Sequence, residues 1–350
     1  MDSRENYLRA VRFERPEWIP MVFYVSPACW RHYESSALED LVASHPRLFD
    51  GADPAMRPDP GVVPPWQQAR QAFSDPWGCV WNTREEGMTG AVVRHPLADW
   101  SAWETYRAPD PARSDGMLPV DWAVVAETFR RAAAQRRLRE GGPRHGHTFQ
   151  RLSYLRGYEN LIFDMADQEP RLSSLIEMLE GFNAGIVGRY LESGAEVVPF
   201  PEDLGMQQGP MLSPQHFRRY IKPSYRRLMG AVREAGAVVH VHSDGDLRAL
   251  AGDLIECPLD VLNLQDLVNG LDWIRARLKG RVCIDLDIDR QTITRFGTPA
   301  EIDRLIRREV STLGSPEGGL MMIYGLYPGV PLENVRALAQ AMDRYAMHFS

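Results

Sequence analysis

Side chains of metal-binding and acid–base types follow the clearest strand pattern in this 350-residue chain. Val239 and Val241 alternate with two histidines in the period-two pattern of a β-strand. The second of these, His242, is followed by Asp244 in a Ser-Asp-Gly-Asp turn, so both are expected at the carboxyl end of the strand. Imidazole and carboxylate groups bind divalent ions such as zinc, and a histidine also acts as an acid or base near neutral pH.

Other apolar runs also end in polar side chains. The polar residues at these ends are Glu202, Asp203, Gln265, Asp285 and Tyr324. We predict a metal held by His242, Asp244 and Glu202, and catalytic roles for His242, Tyr324 and Glu202. Substrate contacts are predicted from Tyr24, Phe23, Arg151, Asp203, Gln265 and Asp285. For the aromatic residues among these, core packing is the alternative.

A repeated alternation of apolar strands and amphipathic helices must position these side chains. It predicts about seven strands, including one near residues 147–152, with helices between them. Such alternation is typical of parallel strands joined by crossover helices. No Gly-x-Gly-x-x-Gly or Walker loop follows any strand. We therefore predict an α/β fold, a (β/α)8 TIM-like barrel, in which the chemistry lies at the carboxyl ends of the strands.

The N-terminal third has a different pattern. Residues 18–25 are apolar and aromatic and predict the first barrel strand, whereas residues 26–121 are irregular and rich in proline. Two short apolar runs within them, 79–82 and 90–94, predict a hairpin. We interpret residues 26–121 as an elaboration that covers the barrel mouth, within a single domain over residues 1–350.

Composition excludes several classes of protein. The formal net charge of −7 argues against a binder of nucleic acid or of an anionic membrane. The four cysteines form no Cys-x-x-Cys pair, so neither a disulfide framework nor a structural zinc knot is expected. The sequence contains no apolar run as long as a membrane span and no signal-peptide core at its start. We expect a cytoplasmic protein.

Segments spread over almost the whole chain resemble the uroporphyrinogen decarboxylase superfamily, which also includes zinc-dependent methyltransferases that pass methyl groups to or from corrinoid proteins. The segments are residues 75–81, 157–164, 201–205, 212–220, 242–245, 261–263, 297–301 and 327–335. Their order and spacing together are specific to the superfamily. The resemblance implies a barrel with its site at the strand ends.

The sequence departs from both branches of that superfamily. Uroporphyrinogen decarboxylases have an early Arg-Gln-Ala-Gly-Arg segment that holds the substrate carboxylates, whereas residues 21–27 here read MVFYVSP. The methyltransferase branch has His-x-Cys at the central strand and a later cysteine. His242 matches, but Asp244 replaces the first cysteine and Tyr324 falls near the second. An oxygen-rich site is better suited to an ether or phenolate oxygen than to a thiol.

The resemblance implies a methyltransferase that moves a methyl group from a methoxylated or other methylated small molecule to a separate corrinoid protein, with zinc at His242. A homodimer is left open. The alternative is a metal-independent decarboxylase or lyase, in which His242 and Tyr324 donate a proton and Arg151 holds a substrate carboxylate. A third class is a non-catalytic protein that binds a cationic ligand in the acidic mouth.

Overall fold

The computed structural model describes residues 1–49 and 63–349. Residues 50–62, which belong to the elaboration predicted over 26–121, lie outside the described residues. The placement of that elaboration over a barrel mouth stays a prediction.

Strands and helices alternate through most of the described chain. The strands are β1 (Met21–Val25), β2 (Ala72–Ser74), β3 (Val80–Asn82), β4 (Ala91–Arg94), β5 (Val197–Pro201), β6 (Gly205–Met206), β7 (Gly209–Pro210), β8 (Val238–Ser243), β9 (Val261–Gln265), β10 (Cys283–Asp287) and β11 (Leu320–Leu326). The helices are α1 (Ser3–Arg12), α2 (Cys29–His32), α3 (Ser35–Ser44), α4 (Trp122–Ala134), α5 (Phe149–Arg156), α6 (Tyr158–Asp167), α7 (Pro170–Glu192), α8 (Pro214–His216), α9 (Lys222–Glu234), α10 (Ala251–Ile255), α11 (Asp266–Asn269), α12 (Leu271–Arg277), α13 (Ile293–Phe296), α14 (Pro299–Leu313) and α15 (Leu332–Ala346). Short 3-10 segments at Pro65–Gln67 and Trp100–Thr105 and a π-helical turn at Phe217–Ile221 complete the set.

The chain divides into two compact units, and the first consists of Met1–Pro64 and Val261–Ser350. Its four parallel strands lie in the order β1, β11, β10, β9. Because neighbouring parallel strands run in the same direction, helices must carry the chain back between them: α11 and α12 connect β9 to β10, and α13 and α14 connect β10 to β11. Helices α14 and α15 pack against each other and bury Ile306 and Leu338. The first barrel strand predicted at 18–25 is β1.

The second unit is Pro65–Asp260. It contains the parallel pair β5 and β8, the antiparallel sheet β2, β3, β4, and the short antiparallel pair β6 and β7. The β3–β4 pair is the hairpin expected within residues 79–94. The described residues thus form six parallel strands, four in the first unit and two in the second, where the sequence pattern predicted about seven for a (β/α)8 barrel. The single domain predicted over 1–350 stays a prediction.

The prediction of a strand near residues 147–152 is wrong, because the helix α5 begins within this range, at Phe149. Phe149, Leu152 and Leu155 are fully buried at three-residue intervals, which places them on one side of a helix. The carboxylate of Glu202 also accepts the backbone N–H groups of Thr148 and Gln150, which stabilises the start of the helix from a distant part of the chain.

No helix within the described ranges 1–49 and 63–349 is long and apolar enough to cross a membrane.

Candidate functional site

Two imidazoles and one carboxylate meet in the second unit. One ligand atom from each of His145, Asp203 and His242 lies within 4.8 Å of the other two. The Oδ1 atom of Asp203 lies 3.4 Å from Nε2 of His145 and 3.6 Å from Nε2 of His242. The two histidine ring centroids are 5.8 Å apart. We call these three residues the His145–Asp203–His242 cluster.

Strand register brings two members of the cluster together. Strands β5 and β8 run side by side with Pro201 opposite His242, and the Glu202 N–H donates to the His242 carbonyl at 3.0 Å. Asp203 therefore follows the end of β5 next to the end of β8. Beyond the strands, the Leu204 N–H donates to Ser243 Oγ at 2.9 Å, which holds the two following loops together.

His145 reaches the cluster from a loop before α5. The N–H of the next residue, Gly146, donates to the Pro201 carbonyl at 2.8 Å, which fixes this loop against the end of β5. Gly146 has a φ of +75°, a conformation that glycine adopts without strain. The sequence prediction missed His145 because this loop follows no predicted strand. The sequence feature that could have indicated His145 is a His-Gly-His segment shortly after a Gly-Gly-Pro turn.

The cluster residues change each other's acid–base properties. Burial by itself would raise the pKa of Asp203, but the hydrogen bond and charge of His145, the charge of His242 and the N–H of Asp244 lower that pKa to about 2. For His145, burial opposes the charged form, yet the neighbouring carboxylates of Asp203, Glu202 and Asp244 raise its pKa. Without a metal, the cluster is therefore a carboxylate beside a histidine that readily takes up a proton.

Glu202, predicted as a metal ligand and catalytic group, is fully buried beneath the cluster. One carboxylate oxygen accepts the N–H groups of Thr148 and Gln150 at 2.7 and 3.0 Å, and the other accepts the Tyr225 hydroxyl. Burial and the adjacent Glu202 charge raise the pKa of the Tyr225 hydroxyl well above its usual range. Both oxygens of Glu202 thus hold the scaffold of the site. Its predicted chemical roles stay predictions.

Asp244 and Arg151, two further residues predicted for the site, lie in the second unit, and the contacts of each are as follows. The backbone N–H of Asp244 donates to Asp203 Oδ1 at 3.2 Å, so this residue supports the cluster through its main chain. Arg151 is buried and its Nη1 lies 2.8 Å from Oδ2 of Asp75, which also accepts from Trp81 Nε1. Its guanidinium lies 5.6 Å from the Trp77 ring centroid.

The remaining predicted residues belong to the first unit. Phe23 is buried and packs on Tyr324 with ring centroids 5.2 Å apart, whereas Tyr24 is about half exposed. Burial raises the pKa of the Tyr324 hydroxyl to about 12, and this hydroxyl donates to Thr294 Oγ1 at 3.4 Å. Asn263 Nδ2 donates to the Asp285 carboxylate at 3.1 Å. Gln265 ends β9 and is half-buried.

Comparisons with known proteins identify the relatives of the chain. A family profile described as "Uroporphyrinogen decarboxylase (URO-D)" matches residues 78–345. Uroporphyrinogen decarboxylase of Thermus thermophilus is 29% identical over 209 residues, which cover 59% of this chain and 55% of that protein. Methylcobamide:CoM methyltransferase MtaA of Methanosarcina barkeri is 26% identical over 164 residues, which cover 44% of this chain and 43% of that protein. The chain thus matches about half the length of these curated relatives.

A solved structure shares the fold. A methyltransferase from Methanosarcina mazei superposes with a TM-score of 0.66, and the match covers 98% of each chain at 16% sequence identity. This likeness confirms the predicted α/β, TIM-like barrel class. The relatives named above are enzymes, a decarboxylase and a methyltransferase. Because the family profile matches about three quarters of its length, this chain belongs to the uroporphyrinogen decarboxylase (URO-D) family.

Proposed function

We propose that this chain is a methyltransferase that moves a methyl group from a methoxylated or other methylated small molecule to a corrinoid protein. The observation that carries the proposal is the convergence of His145 and His242 on the carboxylate of Asp203. The relative named as a methylcobamide:CoM methyltransferase supports a corrinoid acceptor. The sequence contains no Asp-x-His-x-x-Gly segment for binding a corrinoid, so the proposal assigns the corrinoid to a separate partner.

The donor set of the cluster fits a divalent metal. Two imidazole nitrogens and one carboxylate oxygen, all within 4.8 Å of one another, are ligands that zinc accepts. None of the four cysteines belongs to this set, and all four are buried. Burial raises the pKa of Cys79 to about 12 and that of Cys257 to about 11. In the proposal, His145, Asp203 and His242 hold zinc, which when bound supplies a Lewis acid for an oxygen of the substrate.

The leaving group in the proposed transfer is an oxygen. In O-demethylation the bond between the methyl carbon and its oxygen breaks, the electron pair remains on the oxygen, and the reduced corrinoid accepts the methyl group. A donor set of two imidazole nitrogens and one carboxylate oxygen, with no thiolate, suits such a phenolate or alkoxide leaving group better than it suits a thiol. The buried carboxylate of Glu202 keeps the start of α5 and the end of β5 in place during this exchange.

Methyl transfer is tested with the zinc-loaded protein, a panel of methoxylated aromatic compounds and a chemically reduced corrinoid. We expect the methyl–corrinoid to form, as monitored by its absorbance. The demethylated compound should appear in equal amount. The Asp203→Asn variant should lose this activity, whereas Ser153→Ala, a change at a residue of α5 outside the cluster, should keep it. Failure of every methylated donor, with release of carbon dioxide from a carboxylated compound instead, would overturn the proposal.

A metal-independent decarboxylase or lyase is the second candidate. It is favoured by the relative named uroporphyrinogen decarboxylase and by the contact of His145 with Asp203, which makes this histidine a suitable proton donor. The arginine chosen to hold a carboxylate, Arg151, is already paired with Asp75. Carbon dioxide release that persists after treatment with a chelator would support this candidate over methyl transfer.

A further inference from the structure

Gln150 contacts Asp203 at two points. Its Oε1 accepts the backbone N–H of Asp203 at 3.0 Å, and its Nε2 donates to Oδ2 of Asp203 at 3.3 Å. One side-chain amide therefore holds both the main chain and the carboxylate of the same residue. A two-point contact of this kind restricts the rotation of the carboxylate as well as its position.

The two oxygens of Asp203 have different surroundings as a result. Oδ1 lies toward the two histidines and accepts the Asp244 N–H at 3.2 Å. Oδ2 is the oxygen that contacts Gln150. The amide therefore selects which oxygen of Asp203 is presented to His145 and His242.

Gln150 is itself held in place by a buried contact. It lies in the first turn of α5, and its backbone N–H donates to Oε1 of Glu202 at 3.0 Å. The other oxygen of Glu202 accepts from Tyr225, a fully buried residue of α9. Helix α5 is thus fixed at the point from which Gln150 extends to Asp203.

We propose that Gln150 is a positioning residue that orients the Asp203 carboxylate and thereby sets the affinity of the His145–Asp203–His242 cluster for a divalent metal. The inference rests on the proposed metal-assisted function. Residues that orient metal ligands typically change metal affinity by about 10- to 100-fold when they are replaced. Gln150 thus has a role that neither its sequence position nor its residue type revealed.

The test uses the full chain with zinc alone as the probe, in competition with a chromophoric chelator. Gln150→Met keeps the length of the side chain but removes both hydrogen bonds, so we expect zinc to bind about 10- to 100-fold more weakly. The matched control is Ser153→Ala on the same helix, which should bind zinc as the parent does. The melting temperatures of the metal-free proteins are measured in parallel, since a merely structural role would lower the melting temperature and leave the affinity unchanged.

Amide hydrogen exchange of the peptide over residues 202–206 tests the positioning without any metal. The Asp203 amide should exchange about tenfold faster in Gln150→Met, because its acceptor is lost. Gln150→Glu retains an acceptor for the Asp203 amide, so this amide should still exchange slowly. This variant also provides the test if the methionine variant does not fold. Parent-like zinc affinity in the methionine variant, or unchanged exchange, would overturn the inference. A parent protein that binds no zinc but shows the expected exchange would overturn the proposed metal and leave the contact established.

Discussion

Gly245 and Gly205 approach each other so closely that a Cβ atom on Gly245 would lie 2.2 Å from the carbonyl carbon of Gly205. Gly245 also has a φ of +84°, a conformation that L side chains rarely adopt. Because of this approach, the Gly205 N–H donates to the Asp244 carbonyl at 3.2 Å. The segment after Asp203 and the segment after His242 are thus packed backbone to backbone.

Replacement of Gly245 by alanine should disturb the fold and the site together. The strained φ alone costs about 1–3 kcal/mol, and the clash with Gly205 adds to it. We expect a lower free energy of unfolding in urea and weaker metal binding. The control is Gly230→Ala in α9, where an added Cβ meets nothing within 4 Å; it should stabilise the helix by up to about 1 kcal/mol. Equal effects of the two substitutions would contradict this account.

The two cluster residues that follow strands were named from the sequence, His242 as a metal ligand and Asp203 as a substrate contact, but they were not grouped together. His242 and Asp203 were recognised because alternation marks β8 and an apolar run marks β5, and the carboxyl ends of neighbouring parallel strands meet. His145 was missed because a loop without periodicity places it, and long-range contacts such as the hydrogen bond from the Gly146 N–H to the Pro201 carbonyl fix that loop. Contacts between residues distant in sequence leave no local pattern.

The strand expected at 147–152 failed for a related reason. A short apolar run fits either a strand or a helix, and its type is decided by its partners. Here the partner is Glu202, about fifty residues away, whose carboxylate accepts the first N–H groups of α5. The helices α14 and α15 differ from α5, because both have strong local periodicity and α14 begins with a capping box at Thr298.

The buried ion pair of Arg151 and Asp75 should act on stability rather than on substrate binding. Their side chains are only 4% and 0% exposed, so Arg151→Met leaves the buried Asp75 carboxylate without its cationic partner, although Trp81 Nε1 still donates to it. We expect a loss of about 3–5 kcal/mol in the free energy of unfolding, partly restored in the double variant with Asp75→Asn. Unchanged stability with a raised KM for a carboxylated substrate would instead assign Arg151 to substrate recognition.

Glu309 should make stability fall as the pH rises. Its two carboxylate oxygens are fully buried beside the carboxyl group of Asp266. Burial, followed by the nearby charge of Asp266, raises its pKa well above the usual value of 4.5, so the folded chain keeps this proton after the unfolded chain has released it. The stabilising effect of the protonated form is therefore complete below about pH 4.5 and is lost as the pH rises toward the folded-state pKa.

The Glu309→Gln variant, which cannot ionise, isolates this effect. Relative to the variant, the parent should lose up to about 1.4 kcal/mol of unfolding free energy per pH unit above pH 5, as measured by urea unfolding at several pH values. Parallel curves for the two proteins would show that Glu309 does not retain its proton in the folded chain.

The most direct test of the account is the metal content of the purified, zinc-loaded protein by elemental analysis. We expect about one zinc per chain in the parent, and its loss in His145→Ala, His242→Ala and Asp203→Asn. Two matched acid-to-amide changes, Asp244→Asn and Glu202→Gln, should retain the zinc, because the account assigns these residues to the support of the cluster. Zinc retained in Asp203→Asn but lost in Asp244→Asn, or a folded parent that binds no zinc, would contradict it.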